Sequence, residues 1–187
     1  TVALVQARDA APSAPVLRAN VTVSSDIVRI GDVVDNAGSA AQIAIYRAPD
    51  LGTTGTLPVA QIIATLRTHQ VIGVDTKNMN EISVTRQART VTPSDIEQHV
   101  AQALERRNGL GDAADLQLTF DRSLQTMQLE SSNNGALHAT AARFDPRSGR
   151  FDVVLEITNE ASSTPTRLRF TGTAVDTVEA VVLARGI

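Results

Sequence analysis

The feature that most limits the fold is a pair of alternating runs set around a turn. Phe151, Val153, Leu155 and Ile157 recur at every second position, with Asp152, Glu156 and Thr158 on the opposite face. A period of two is that of a strand with one face in a core and one in water. Leu137 to Phe144 precedes this run, and Asp145-Pro146-Arg147-Ser148-Gly149 separates the two with residues that reverse a chain. An isolated hairpin cannot bury its apolar face, so another layer has to cover it.

A helix upstream supplies that layer. Thr92 is placed to be its N-cap, Pro93 its first residue and Asp95 the acid of its first turn. Ile96, Val100, Ala103 and Leu104 form the stripe to be buried, and Asn108-Gly109 is expected to stop the helix through a left-handed cap. Leu116, Leu118 and Phe120 alternate on one further strand and Met127 and Leu129 on another. Ser132-Asn133-Asn134-Gly135 then turns the chain, and strands are expected over Arg167 to Val175 and Thr177 to Leu183. One helix on an antiparallel sheet is an α+β arrangement.

The amino-terminal half reads as a second unit of the same kind. Val16 to Val23 alternates as a strand, Ser24-Ser25-Asp26 turns, and Ile27 to Ile30 returns before Gly31-Asp32, where Asp32 can cap a helical turn. Gln42 to Ala48 reads as a strand and Pro49 to Gly55 as a loop. Pro58 opens a helix to about His69, with Val59, Ile62, Ile63 and Leu66 on one face. Gly73 to Asn80 is loop-like, and Glu81 to Arg89 is a strand with Ile82 and Val84 inward. The expected organisation is a linker at 1–15, an α+β unit at 16–90, a helix-plus-sheet unit at 91–176 and a connecting strand or hinge at 177–187. Each unit is expected to combine antiparallel strands with one packed helix.

Composition removes whole classes of function. Hydrophobic residues make up 42% of the 187, enough for cores, but only 3% are aromatic, so those cores rest on Val, Ile, Leu and Ala. No apolar run approaches the length of a membrane span. The formal charge is −3, too acidic for a general nucleic-acid binder. Residues 1–90 carry 8 basic and 7 acidic side chains and residues 91–187 carry 9 and 13, so the acidity sits in the second half. Without cysteine there is no disulfide framework, thiolate chemistry or zinc–cysteine site. Val2-Ala3-Leu4-Val5-Gln6-Ala7 reads like the end of a signal-peptide apolar region, and Ala10-Ala11-Pro12-Ser13-Ala14-Pro15 like a linker.

The candidates for chemistry are sparse. His69, His99 and His138 share no metal-pair spacing. Asp32 with Asp35, and Asp112 with Asp115, lack the loop spacing of a calcium site and read as caps and turns. Gly109-Leu110-Gly111-Asp112-Ala113-Ala114 has the shape of a dinucleotide fingerprint, yet it follows a helix and precedes a strand, the reverse of what phosphate binding needs. No catalytic residue, cofactor site or metal site is assigned. Arg167 and Arg169 share a strand face with Thr171, a basic strip that is either a solvated face or a partner-binding one.

The order of elements resembles the flagellar basal-body P-ring assembly chaperone family, FlgA, in its longer, alphaproteobacterial-type members. Leu17-Arg18-Ala19-Asn20-Val21-Thr22-Val23 through Val28-Arg29-Ile30-Gly31-Asp32-Val33-Val34 is similar to their amino-terminal segment, and Arg47-Ala48-Pro49-Asp50-Leu51-Gly52 to the loop that follows. The unit from Thr92 to Val175 sits where the family has its first domain. Asp176 to Ile187 is similar to the strand leading into its carboxy-terminal SAF (β-clip) domain, most of which would lie beyond Ile187.

The resemblance implies export to the periplasm and a non-catalytic role: binding the P-ring protein while the ring is assembled, with peptidoglycan nearby. Arg167, Arg169 and Thr171 are then candidate partner-binding residues, and Arg185 and Gly186 a candidate hinge. The alternative is a cell-envelope carbohydrate- or peptidoglycan-binding module, for which Tyr46 and four Phe are a poor supply of aromatic platforms.

Overall fold

Residues 13–177 are described by a computed structural model. The chain divides into two compact units, one up to Ala88 and one from Arg89 onward. Each has its own apolar cluster.

In the first unit the elements are β1 (Val16–Leu17), β2 (Asn20–Val23), β3 (Ile27–Arg29), α1 (Ile30–Val33), β4 (Val34–Asp35), β5 (Ala44–Arg47), β6 (Thr54–Pro58), α2 (Val59–Thr68) and β7 (Glu81–Arg86). The single strand expected from Val16 to Val23 is two, broken at Arg18 and Ala19. There the Arg18 N–H donates to the Val33 carbonyl and its guanidinium binds Asp35. Only antiparallel pairing was expected, but β2 runs parallel to β7 while β6 lies antiparallel on the other side of β7. The reason is connectivity: a long excursion separates β2 from β7, so no tight turn forces them into opposite directions.

β6 lies partly where a loop was expected, because Gly55 and Pro58 mask its alternation. As β6 is a sheet edge, the missing N–H of Pro58 costs no ladder bond, and the same residue is the N-cap of α2. Val59, Ile62 and Leu66 of α2 are buried with Leu17, Val21, Val28, Ile30, Val33, Ile82 and Val84 in one core, with Ile63 half-buried beside it.

The second unit holds β8 (Ala88–Val91), α3 (Pro93–Leu104), β9 (Leu116–Phe120), β10 (Met127–Glu130), β11 (Leu137–Asp145), β12 (Arg150–Ile157) and β13 (Thr166–Asp176). Its main sheet is antiparallel throughout, in the order β11-β12-β13-β9, and β8 pairs separately with β10. At the start of α3 the Thr92 hydroxyl accepts the Asp95 N–H at 3.2 Å, and the Asp95 carboxylate accepts the Thr92 N–H at 2.8 Å. Ile96, Val100 and Leu104 pack with Phe151, Val153, Leu155 and Ile157, the alternating set that required a covering layer.

The helix stops earlier than expected. Glu105 is extended, Arg106 has φ 54°, and the left-handed Asn108 and Gly109 shape the loop beyond. Glu105, Arg106 and Arg107 have no apolar group to bury and leave the helix for water, before Leu110 returns to the core. The expected strand from Thr177 to Leu183 lies outside the described residues after Thr177, as do Arg185 and Gly186.

Candidate functional site

The second unit turns on its last described strand. β13 pairs with β12 from Thr166 to Thr173 and with β9 only from Gly172 to Asp176. Gly172 stands at the changeover. A Cβ there would overlap the Thr119 carbonyl oxygen and come within 2.8 Å of the Phe151 ring. Only glycine lets β9 approach this closely. Phe120, opposite Gly172, meets Phe151 and Phe170 edge-on at centroid distances of 5.5 and 6.2 Å.

Because alternate residues face opposite ways, Leu168 and Phe170 turn toward the core while Arg167 and Arg169 turn to the outer face. The structure pairs both arginines with acids of β12, Arg167 with the directly opposite Glu156 and Arg169, which lies opposite Val154, with the diagonal Asp152. Arg169 grips Asp152 with two nitrogens, at 2.9 and 2.5 Å, and Arg167 donates to Glu156 at 2.6 Å. The Thr171 hydroxyl donates to Asp121 at 2.6 Å, and Arg150 reaches the same carboxylate oxygen at 2.5 Å. The three expected partner-binding residues therefore lie on one face, but as members of an alternating-charge lattice rather than as a bare basic strip. The Arg169 hydrogen bonds hold the Asp152 carboxyl below its ordinary value and raise Arg169 in turn. Asp121 is lowered by the Thr171 hydroxyl first and by Arg150 second. The two arginine side chains are 72% and 68% exposed, so solvent screens both pairs and a binding partner can exchange with them.

A cleft of about 440 Å³ lies beside this strand, lined by Ile96, Phe120, Leu124, Met127 and Phe170, with Arg122 also at its lining. Sequence reasoning missed it: Met127 and Phe170 read only as core positions, and nothing local marks a gap between them. The rest of the chain offers isolated groups. His99 Nδ1 is 2.7 Å from the Asp95 carbonyl oxygen, and His138 Nδ1 is 3.2 Å from that of Ala136. Asp32 accepts the Arg29 N–H, Asp35 pairs with Arg18, and Asp112 with Arg106. Among the described residues no group of three or more His, Asp or Glu side chains is placed to hold a metal ion, and no helix is long and apolar enough to cross a membrane. What the unit does offer is surface, strand edge and a shallow apolar cleft, the materials of protein recognition.

Comparison with known proteins agrees with that class, since residues 96–175 match the model of a chaperone family. The matched model is the FlgA N-terminal domain, so the second unit is similar to that domain over residues 96–175. The match runs from the first turn of α3 to the penultimate residue of β13. No curated protein and no solved structure matches the chain.

Proposed function

We propose that the protein is a periplasmic chaperone that assists assembly of the flagellar P ring by binding the P-ring protein. The observation that carries this reading is the match of the helix-plus-sheet unit to the FlgA N-terminal domain. The physical character of the unit supports it. A chaperone has to hold a subunit's assembly surface and then give it up, which favours polar, exchangeable contacts over a large apolar seam. The lattice of Arg167, Arg169 and Thr171 with Glu156, Asp152 and Asp121 is a surface of that kind.

Co-purification from a periplasmic extract tests the reading. The P-ring protein is expected to be retained by the wild-type chain and lost when Arg167 and Arg169 are both changed to Glu. Failure of the wild-type chain to retain it would remove the proposal. Retention by the double variant would remove only the assignment of these residues.

A further inference from the structure

The pairing of β13 is incomplete. Beyond Gly172 its β9-side edge receives one last bond, from the Asp121 N–H to the Thr171 carbonyl at 3.0 Å. Since backbone groups two residues apart point the same way, the N–H and C=O of Arg167 and Arg169 face that same side. Among the described residues no strand pairs with Thr166 to Phe170 there, because β10, the next strand after β9, pairs with β8 instead. Open strand edges are usually blunted or covered, since they template further pairing.

The open edge borders the apolar cleft. Leu168 and Phe170 face the core side, so a strand laid along this edge would direct every second side chain toward the cleft and the others toward the face of Arg167 and Arg169. Arg122, exposed and at the lining of the same cleft, has no ion pair or hydrogen bond among the described residues, whereas Arg150, Arg167 and Arg169 each hold a carboxylate.

We infer that the β9-side edge of β13 from Thr166 to Phe170, with the cleft of Ile96, Leu124, Met127 and Phe170 and the guanidinium of Arg122, is a strand-addition site. It takes an extended segment of the client protein whose residues alternate between branched apolar and acidic. The inference rests on the chaperone reading for its client. Charge complementarity selects the acidic positions, because the one uncompensated cation of this lining asks for a carboxylate. The apolar positions follow from the cleft, and the extended form from about 17 Å of unpaired strand.

The site is tested by the affinity of the complete protein for two probes: the P-ring protein, and a synthetic ten-residue peptide alternating valine and glutamate. Arg167→Pro deletes an N–H that β12 does not use, so the fold is retained, as a thermal melt will show. It is expected to weaken both probes at least tenfold, and more than Arg167→Ala, which keeps the N–H. Arg122→Glu, at an exposed position, is expected to weaken both at least fivefold, with Arg122→Lys recovering part of the loss. The peptide is expected to shift the backbone amide resonances of Arg167 and Arg169.

Undiminished binding of the P-ring protein by both folded variants overturns the strand-addition site and leaves the chaperone reading standing. A peptide that shifts these amides in a protein to which the P-ring protein does not bind supports the site and removes the chaperone reading. Sedimentation showing that a second copy of this chain occupies the edge, with dissociation on Arg167→Pro, overturns the client assignment.

Discussion

Gly172 is the residue on which the second unit is least tolerant. Its neighbours across both strands, Phe120 and Phe151, are large, and the Thr119 carbonyl lies where a side chain would begin. Neither backbone can retreat without opening the β9–β13 ladder. Gly172→Ala is therefore expected to lower the unfolding free energy of this unit by about 2 kcal/mol or more, read as a fall in the urea midpoint. Asn133 shows the opposite economy. It is buried, and its side chain joins the Glu130 carbonyl to the Thr166 hydroxyl, while Arg89 donates to its own carbonyl and to that of Gly135. A buried amide is tolerated because its groups are satisfied.

Between elements, carboxylates do much of the tying. Asp95 closes the start of α3, Asp121 holds the end of β9 to β13, Asp145 organises the β11–β12 turn, and Asp152 links β12 to β13. All four are more acidic than an ordinary aspartate, chiefly through hydrogen bonds to the charged form: from Thr92, Thr171, Ser148 and Arg169 respectively. A carboxyl with a depressed folded value adds stability that is complete above the unfolded value, near pH 4, and is lost as pH falls through the folded value. The melting temperature is expected to change little from pH 7 to pH 5 and to fall steeply toward pH 2, as circular dichroism melts will show.

These elements were not equally legible. Thr92-Pro93-Ser94-Asp95 and the turn from Asp145 to Gly149 announce themselves because their hydrogen bonds close within a few residues. The parallel register of β2 on β7 and the strand at Thr54–Pro58 do not, since pairing is settled by partners far along the chain. Arg167, Arg169 and Thr171 could be placed on one face from alternation alone. That Asp152 and Glu156 compensate two of them, and that Arg122 has no counter-charge among the described residues, depends on register, which a single strand does not carry.

At the scale of the molecule, two clusters without a shared residue imply two cooperative units. Leu155→Ala is expected to destabilise the second unit by about 2–5 kcal/mol, with amide exchange accelerating from Val91 to Asp176 and unchanged from Leu17 to Val84. Leu66→Ala is expected to give the reverse pattern. Uniform acceleration in either variant would show a single cooperative body.

The late position of β13 also governs how the second unit comes into being. The strand lying between β12 and β9 is the final described element, and Thr171 binds an aspartate 50 residues earlier in the chain. A ribosome or export channel delivers the amino-terminal end first, so β9 must wait, unpartnered, until nearly the whole unit has emerged. Closure is a late, long-range event, slower than local hairpin formation. A chain cut short before Thr166 is left with an unzipped sheet rather than a smaller domain.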